Sequence, residues 1–234
     1  MKFQIKQKIF EKFEGLTVGV VIAKNINNSG NSEEIQNQMR EQEKEIRTKY
    51  NKETLPQNPK IDAWRKAYIS FGANPKESRS SVESLYSLVL RGINLRQINK
   101  LVDIYNLISL KYMVPMGGED IDKMQGDLAL TFAEANETPV LLLGDKEARP
   151  PYEGEVIYKD DASTICRRFN WREADRTKLT EKTRNCIFVI EGLPPATRKE
   201  IENATNELKH LIQKFCGGNF AMEILDSNKN EIEL

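Results

Sequence analysis

The stretch from Leu85 to Phe132 constrains the fold most, because it reads as helix, turn, helix, Pro-Gly-Gly loop, short helix and strand without filler. Its second helix is predicted from about Gln97 to Tyr112, where apolar residues recur at helical spacing. Two polar residues, Asp103 and Asn106, are three positions apart and share one face of this apolar helix. Because buried polar side chains need hydrogen-bond partners, these two are the first candidate site residues.

Charge is abundant but balanced, which limits the partners that the chain can attract as a whole. Lys and Arg number 35, Asp and Glu also number 35, and together they make up 30% of the 234 residues. An RNA partner would therefore need a local basic patch, and we expect neither a DNA partner nor a membrane partner. No apolar run approaches the roughly 18 residues of a membrane span. The N-terminus lacks a signal-peptide core, which predicts a cytoplasmic location.

The cysteine and histidine content predicts neither a metal nor a cofactor. Cys166, Cys186 and Cys216 are widely spaced, odd in number and fit no metal-ligand pattern, so we predict that they are buried as small apolar groups. The single histidine, His210, lies in a charged helical segment and is predicted to be at the surface. A Ser-His or Cys-His pair elsewhere in the chain is thereby almost excluded.

Hydrophobic patterning predicts strands towards both ends of the chain and helices in the middle. The apolar fraction of 39% is sufficient for a core. We predict a single α+β domain over residues 1–234, with a mixed β-sheet or barrel-like core and surrounding and inserted helices. The predicted strands are 16–26, 128–132, 139–143, a hairpin after 154, a segment ending at 192, and 219–225; the predicted helices are 32–52, 61–71, 81–91, 97–112 and 194–216.

Two further polar groupings have a structural and a functional interpretation. Gly117-Gly118 before Glu119 could present the amides of a short helix to an anion, although a tight turn after Pro115 is favoured by the local sequence. Asn99, with the two polar residues of the second helix, could line a polar pocket. The same residues could equally cap or bridge buried backbone groups, and the sequence leaves both alternatives open.

A cluster of arginines with aromatic residues follows the predicted hairpin. Guanidinium groups beside aromatic rings suit contacts with phosphates and bases. The alternative, slightly favoured by composition, is that these arginines pair with nearby acidic residues, namely Asp160, Asp161, Glu173 and Asp175. The cluster consists of Arg167, Arg168, Arg172 and Arg176 with Phe169 and Trp171.

The order of these motifs resembles the B3/B4-type editing domain within the beta subunit of bacterial phenylalanyl-tRNA synthetase, and more closely its free-standing relatives. The likeness covers residues 61–192. The residues in register with the synthetase are Gly92-Ile93, Asn99, Val102-Asp103, Asn106, Pro115, Asp120 and Gly126. Those shared with free-standing members are Trp64-Arg65, Tyr68, Phe71-Gly72, Asn74-Pro75, Arg168, Asn170-Trp171-Arg172 and Thr183.

The resemblance implies a function and a set of site residues. The synthetase domain hydrolyses the ester of tyrosine wrongly attached to the phenylalanine tRNA, without a metal or a covalent intermediate. By resemblance we expect this chain to hydrolyse a mischarged aminoacyl-tRNA in trans, with aminoacyl-tRNA as its partner. The expected catalytic residues are Asn106 and Glu119, and the expected substrate-binding residues are Asp103, Tyr105, Gly117, Gly118, Arg168, Asn170, Trp171 and Arg172.

Two positions differ from the synthetase pattern and keep a second function open. Tyr105 replaces a threonine of the family, and Gly117 replaces a histidine. Together with the balanced charge, the missing imidazole favours the alternative, a non-catalytic module that binds tRNA, an amino acid or another small ligand. An interaction domain without any pocket is a third possibility.

Overall fold

The computed structural model describes the whole chain from Met1 to Leu234. None of its helices is long and apolar enough to cross a membrane. The helices are α1 (Gln7–Lys12), α2 (Glu33–Lys49), α3 (Pro59–Ser70), α4 (Ser81–Val89), α5 (Lys100–Tyr112) and α6 (Arg198–Cys216). The strands are β1 (Lys2–Ile5), β2 (Thr17–Lys24), β3 (Met116–Asp120), β4 (Leu128–Phe132), β5 (Val156–Lys159), β6 (Thr164–Arg167), β7 (Arg172–Glu173), β8 (Cys186–Gly192), β9 (Asn219–Leu225) and β10 (Glu231–Glu233).

The strands form two sheets. Six strands pair in the order β10-β1-β4-β5-β6-β7, and this sheet is mixed because β1 runs parallel to β4. Four antiparallel strands pair in the order β3-β8-β2-β9. The α+β class and the mixed sheet are thus confirmed, but the sheets remain open, so the core is not a closed barrel.

The four-stranded sheet separates two hydrophobic cores, and strand β2 shows how its sequence achieves this. Val18, Val20 and Ile22 belong to the core shared with the six-stranded sheet, whereas Val21 and Ala23 belong to the core under the helices. Successive side chains of a strand point to opposite faces, so a continuous apolar run buries both faces of the sheet.

Close packing of α6 on this sheet depends on one glycine. A Cβ atom at Gly19 would lie 1.9 Å from Oγ1 of Thr205 in α6. The missing side chain therefore lets the helix backbone approach the strand directly. This close contact sets the position of α6 and so of the apolar core between the helices and the sheet.

Several predicted elements differ from the observed ones. Residues after Pro115 form strand β3 and not a tight turn, and the predicted short helix is a single 3-10 turn at Ile121–Lys123, after the strand. The predicted strand 139–143 contributes only isolated bridges, from Val140 and Leu142. Helix α5 begins at Lys100, and strand β10 was not predicted. The predicted hairpin, the buried cysteines and the exposed His210 are confirmed.

Candidate functional site

A cavity of about 280 Å³ lies between the two sheets and is closed on one side by α4 and α5. The four-stranded sheet contributes residues of β3 and β8, and the six-stranded sheet contributes residues of β4 to β7. Its walls are mainly apolar, with a minority of polar side chains. Such a composition is typical of small-molecule sites, where a few polar groups set the orientation of the ligand. The third possibility, an interaction domain without a pocket, is therefore not favoured.

Helix α5 carries both cavity residues and supporting residues. Tyr105 and Asn106 line the cavity. Asp103 does not reach it; its carboxylate accepts hydrogen bonds from Gln36 Nε2 at 2.9 Å and from the Ile98 N–H at 3.0 Å. Burial raises the pKa of Asp103. These two hydrogen bonds stabilise the start of α5 and do not involve the cavity.

Asn99 also acts on the start of α5. Its side-chain oxygen accepts from the Val102 N–H at 3.1 Å, which caps the helix, and from Asn28 Nδ2 at 3.0 Å. Its own amide donates to the Leu179 carbonyl at 3.3 Å. Of the two alternatives for Asn99, the structure shows the capping role.

Strand β3 brings Gly117, Gly118 and Glu119 to the cavity wall. The amides are not at a helix N-terminus, so the predicted anion site of that kind is wrong. Gly118 is required by packing, since a Cβ atom there would lie 2.7 Å from the ring of Phe188. At Gly117 a Cβ atom would lie 3.2 Å from Oε1 of Glu173. The Glu173 carboxylate thus stands beside the position where the synthetase pattern has an imidazole.

Glu119 and Glu173 form an acidic pair in the cavity wall. Burial, and then the charge of Glu173, raise the pKa of Glu119 well above its usual range. Burial raises the pKa of Glu173 to about 7, and the Gly118 N–H partly offsets the shift. Two interacting carboxyl groups whose pKa values are both raised can share one proton and one charge at neutral pH.

Two polar atoms of the cavity lack a partner within the protein. They are Oε2 of Glu119, a residue only 9% exposed, and the buried Oγ of Ser81. A buried polar atom without a partner costs about 1–3 kcal/mol. A polar ligand or a water molecule in the cavity would remove this cost, so both atoms are candidate contacts for its occupant.

A third carboxyl group, Glu191, is held by a buried hydrogen-bond chain. The Tyr158 hydroxyl donates to its Oε1 at 2.5 Å, and Asn170 Nδ2 donates to its Oε2 at 2.6 Å. Asn170 in turn accepts from the Tyr68 hydroxyl at 3.0 Å. Burial raises the pKa of Glu191 to about 7 despite the two donors. Asn170 therefore connects the arginine-rich turn to the floor of the cavity.

The turn between β6 and β7 carries the aromatic and arginine residues predicted as a site. Arg168 and Phe169 have φ values of 51° and 68°, a left-handed conformation that is uncommon outside glycine. This geometry buries the Phe169 ring completely and leaves Trp171 half-buried in the cavity wall. The Arg168 guanidinium lies over the Trp171 ring, 4.6 Å from its centroid, and does not line the cavity.

The four arginines of the cluster are all paired with acidic residues. Arg167 makes two hydrogen bonds to Glu155, at 2.9 and 2.7 Å, and Arg168 lies 3.7 Å from the same carboxylate. Arg172 pairs with Asp145 at 2.9 Å and lines the cavity. Arg176 pairs with Asp160 at 2.8 Å. The ion-pair alternative is confirmed, although only the Asp160 partner was among those predicted.

Some cavity residues escaped the sequence analysis. Glu191 and Tyr158 were not proposed, and Glu173 was considered only as a partner for arginine. The sequence could have indicated Glu191, because a single carboxylate inside the apolar strand CIFVIEG needs hydrogen-bond donors or a cation beside it when it is buried. No group of three or more His, Cys, Asp and Glu residues is placed to hold a metal ion.

Comparison with known proteins defines the family. The B3/4 domain model matches residues 63–217, from α3 to the end of α6, so the chain belongs to the B3/4 domain family. The phenylalanine–tRNA ligase beta subunit of Fusobacterium nucleatum is 26% identical over an alignment that covers 58% of this chain. The chain spans only 20% of the length of that curated relative.

A solved structure shows a looser similarity. It is an N-terminal fragment of the phenylalanyl-tRNA synthetase beta subunit from Pyrococcus horikoshii, with 13% sequence identity and a TM-score of 0.45. The alignment covers 93% of this chain and 49% of the fragment.

Proposed function

We propose that this B3/4 domain hydrolyses the ester bond of a mischarged aminoacyl-tRNA in trans. The observation that carries the proposal is the Glu173 carboxyl, which stands beside Gly117 in the cavity with a pKa of about 7. General acid–base groups work best when their pKa lies near the operating pH. A carboxyl with this pKa titrates in the same pH range as an imidazole. Glu173 can therefore transfer a proton at the position where the family pattern has histidine and this chain has Gly117.

The charge of the cavity supports an aminoacyl ester as the ligand. An aminoacyl ester carries an α-ammonium group and no carboxylate, so it suits a wall that contains Glu119, Glu173 and Glu191. A free amino acid also carries a carboxylate, which needs a cation. The cavity's one guanidinium, Arg172, is already paired with Asp145. An ester is thus preferred over its free acid product.

The proposed reaction assigns a separate task to each member of the acidic pair. Ionised Glu173 takes a proton from water as the oxygen attacks the ester carbonyl, and a tetrahedral intermediate forms. Protonated Glu119 donates its proton to the ribose oxygen as the ester C–O bond breaks. The products are a free amino acid and a tRNA hydroxyl, and proton transfer from Glu173 to Glu119 restores the pair. The Asn106 amide lines the same cavity, where it can position the water or the carbonyl.

The experiment is direct deacylation of a panel of misacylated tRNAs by the purified protein. We expect Glu173→Gln to lower the rate by about 10²–10⁴, the usual contribution of a general base. The wild-type rate should rise tenfold per pH unit below about 7 and level off above it, because the ionised base is the active form. Asn106→Ala should also lower the rate, and Glu181→Gln, an exposed control, should not.

Two results would overturn the proposal at different levels. Rates equal to spontaneous hydrolysis across the whole panel would remove the enzymatic function, and retention of tRNA without hydrolysis would then favour the non-catalytic binding module. Hydrolysis that is unaffected by Glu173→Gln would keep the enzyme and reject the assigned base.

A further inference from the structure

A basic groove lies beside α4 and is separate from the cavity. Its volume is about 300 Å³, and five cations line it, together with a single acidic residue, Glu83. The cations come from three parts of the chain: the segment after α2, helix α3 and the segments on either side of α4. They are Lys52, Arg65, Lys76, Arg79 and Arg91.

Only two of these cations pair with an acidic residue of the protein. Arg65 Nη1 donates to the buried Glu83 carboxylate at 2.6 Å, and Arg79 Nε lies 3.8 Å from the same group. Lys52, Lys76 and Arg91 are exposed and have no carboxylate within ion-pair distance, although Arg91 Nε donates a hydrogen bond to the Ser87 carbonyl at 3.2 Å. In the arginine-rich turn every cation has an acidic partner, whereas in the groove three cations have none.

Unused cations in one concave site create a local positive potential, although the chain as a whole is neutral. Phosphate groups of a nucleic-acid strand are the ligands that such a row of Lys and Arg attracts, through charge and counterion release. The groove also lacks exposed aromatic rings, since its only hydrophobic members are Leu55 and Pro56. The chemistry of the site therefore fits the sugar-phosphate backbone rather than the bases.

Helix α4 places the groove next to the cavity. Ser84 and Leu85 of this helix line the cavity, while Glu83 and Ser87, one turn apart, line the groove. An α-helix with its side chains is about 10 Å across. A strand that delivers its end to the cavity can thus pass over α4 and place phosphates in the groove.

We propose that the groove binds the phosphate backbone of the RNA whose acylated end enters the cavity. The identity of this RNA as the substrate rests on the proposed function, but the binding itself does not. The groove provides affinity and orientation, and the cavity provides chemistry. Lys52, Lys76 and Arg91 are the cations that contact phosphates.

The test compares two triple variants by fluorescence anisotropy with uncharged tRNA over a salt titration. The groove variant is Lys52→Ala with Lys76→Ala and Arg91→Ala. The control variant is Lys8→Ala with Lys44→Ala and Lys182→Ala, three exposed lysines that also lack ion pairs.

We expect the groove variant to lose at least tenfold in affinity. The slope of log K against log salt should become shallower by about 2, at about 0.7 for each of three phosphate contacts on a single strand. The control variant should bind as the wild type does. The proposal would be overturned if the groove and control variants bound tRNA with equal affinity. It would also be overturned if the groove variant lost binding of inorganic polyphosphate but bound tRNA as the wild type does.

The two proposals fail in different ways. Loss of tRNA binding in the groove variant, together with no deacylation by the wild type, would keep the groove and reject the hydrolase. Deacylation by the wild type with unchanged tRNA affinity in the groove variant would keep the hydrolase and reject the groove.

Discussion

The cavity side and the groove side of α4 both concentrate charge, but they use it differently. Around the cavity, Arg167 is 6% exposed and makes two hydrogen bonds to Glu155, and Glu191 is 1% exposed and accepts from two donors. In the groove, Lys52, Lys76 and Arg91 are exposed and unpaired.

This difference separates charges that hold the fold from charges that are available to a partner. A buried charge must have its compensation inside the protein, because removal of water is costly. An exposed cation contributes little to stability, and its free energy of interaction is available for a ligand. Substitutions on the two sides should therefore affect different measurements.

The largest expected effect is on the buried side. Arg167→Ala removes both guanidinium hydrogen bonds from the buried Glu155 carboxylate and leaves the more distant Arg168 guanidinium, at 3.7 Å, as its only cation, so we expect the free energy of unfolding to fall by about 3–5 kcal/mol. Urea denaturation measures this change. As a control, Arg149→Ala removes an exposed pair with Glu147 and should change stability by less than about 0.5 kcal/mol.

A double variant tests whether the buried charge is the cause. Arg167→Met with Glu155→Met removes both charges, and it should be less destabilised than Arg167→Ala. A double variant that is as unstable as the single one would show that packing, and not an uncompensated carboxylate, accounts for the loss.

The next effect is a pH dependence of stability caused by Glu191. Its pKa is about 7 in the folded protein and about 4.3 in the unfolded chain. Between these pH values the folded state keeps a proton that the unfolded state has released. The contribution of Glu191 to the free energy of unfolding is therefore largest below about pH 4.3 and is lost as the pH rises to about 7. The loss from this group is about 4 kcal/mol, because the two pKa values differ by about 2.7 and each pKa unit corresponds to about 1.36 kcal/mol.

Glu191→Gln should remove this contribution from the slope of unfolding free energy against pH, measured by urea denaturation from pH 5 to 8. Glu173 contributes in the same direction, so a smaller slope should remain. The exposed control Glu181→Gln should leave the slope unchanged. Identical slopes for Glu191→Gln and the wild type would contradict the raised pKa.

The smallest effect is expected on the groove side. The triple variant Lys52→Ala with Lys76→Ala and Arg91→Ala removes no ion pair, so its free energy of unfolding should change by about 1 kcal/mol or less. Equilibrium unfolding of this variant beside the wild type measures the change. A loss as large as that of Arg167→Ala would erase the distinction between the two sides of α4.

Local sequence patterns were sufficient for most of the fold. The N-cap of α2 at Ser32 and the continuous apolar run of β2 both depend on neighbours in the chain. Strand β3 was predicted wrongly because MGGED has low strand propensity by itself. It is a strand because β8 pairs with it and Phe188 packs over Gly118, and both partners lie about 70 residues away.

The site was only partly predictable for the same reason. Asn106 and the 117–119 segment were predicted because each stood out in its own stretch, and Tyr105 was predicted only from the family resemblance; all of them line the cavity. The acidic pair was not found, since Glu119 and Glu173 belong to different sheets and meet only in the fold. The groove was even less predictable from the sequence, because its cations are spread over residues 52–91 and no window of this segment is strongly basic.

The left-handed turn at Arg168 and Phe169 has a consequence for how this protein can vary. The Phe169 ring packs edge-on against Trp64 and Phe13, with ring centroids 5.0 and 5.4 Å away. Trp171 and Glu173, which line the cavity, follow this anchored ring within four residues. Trp64 and Phe13 thus help to set the position of this part of the cavity wall, so a substitution that repacks either ring is expected to change the shape of the cavity as well as the packing of the interior.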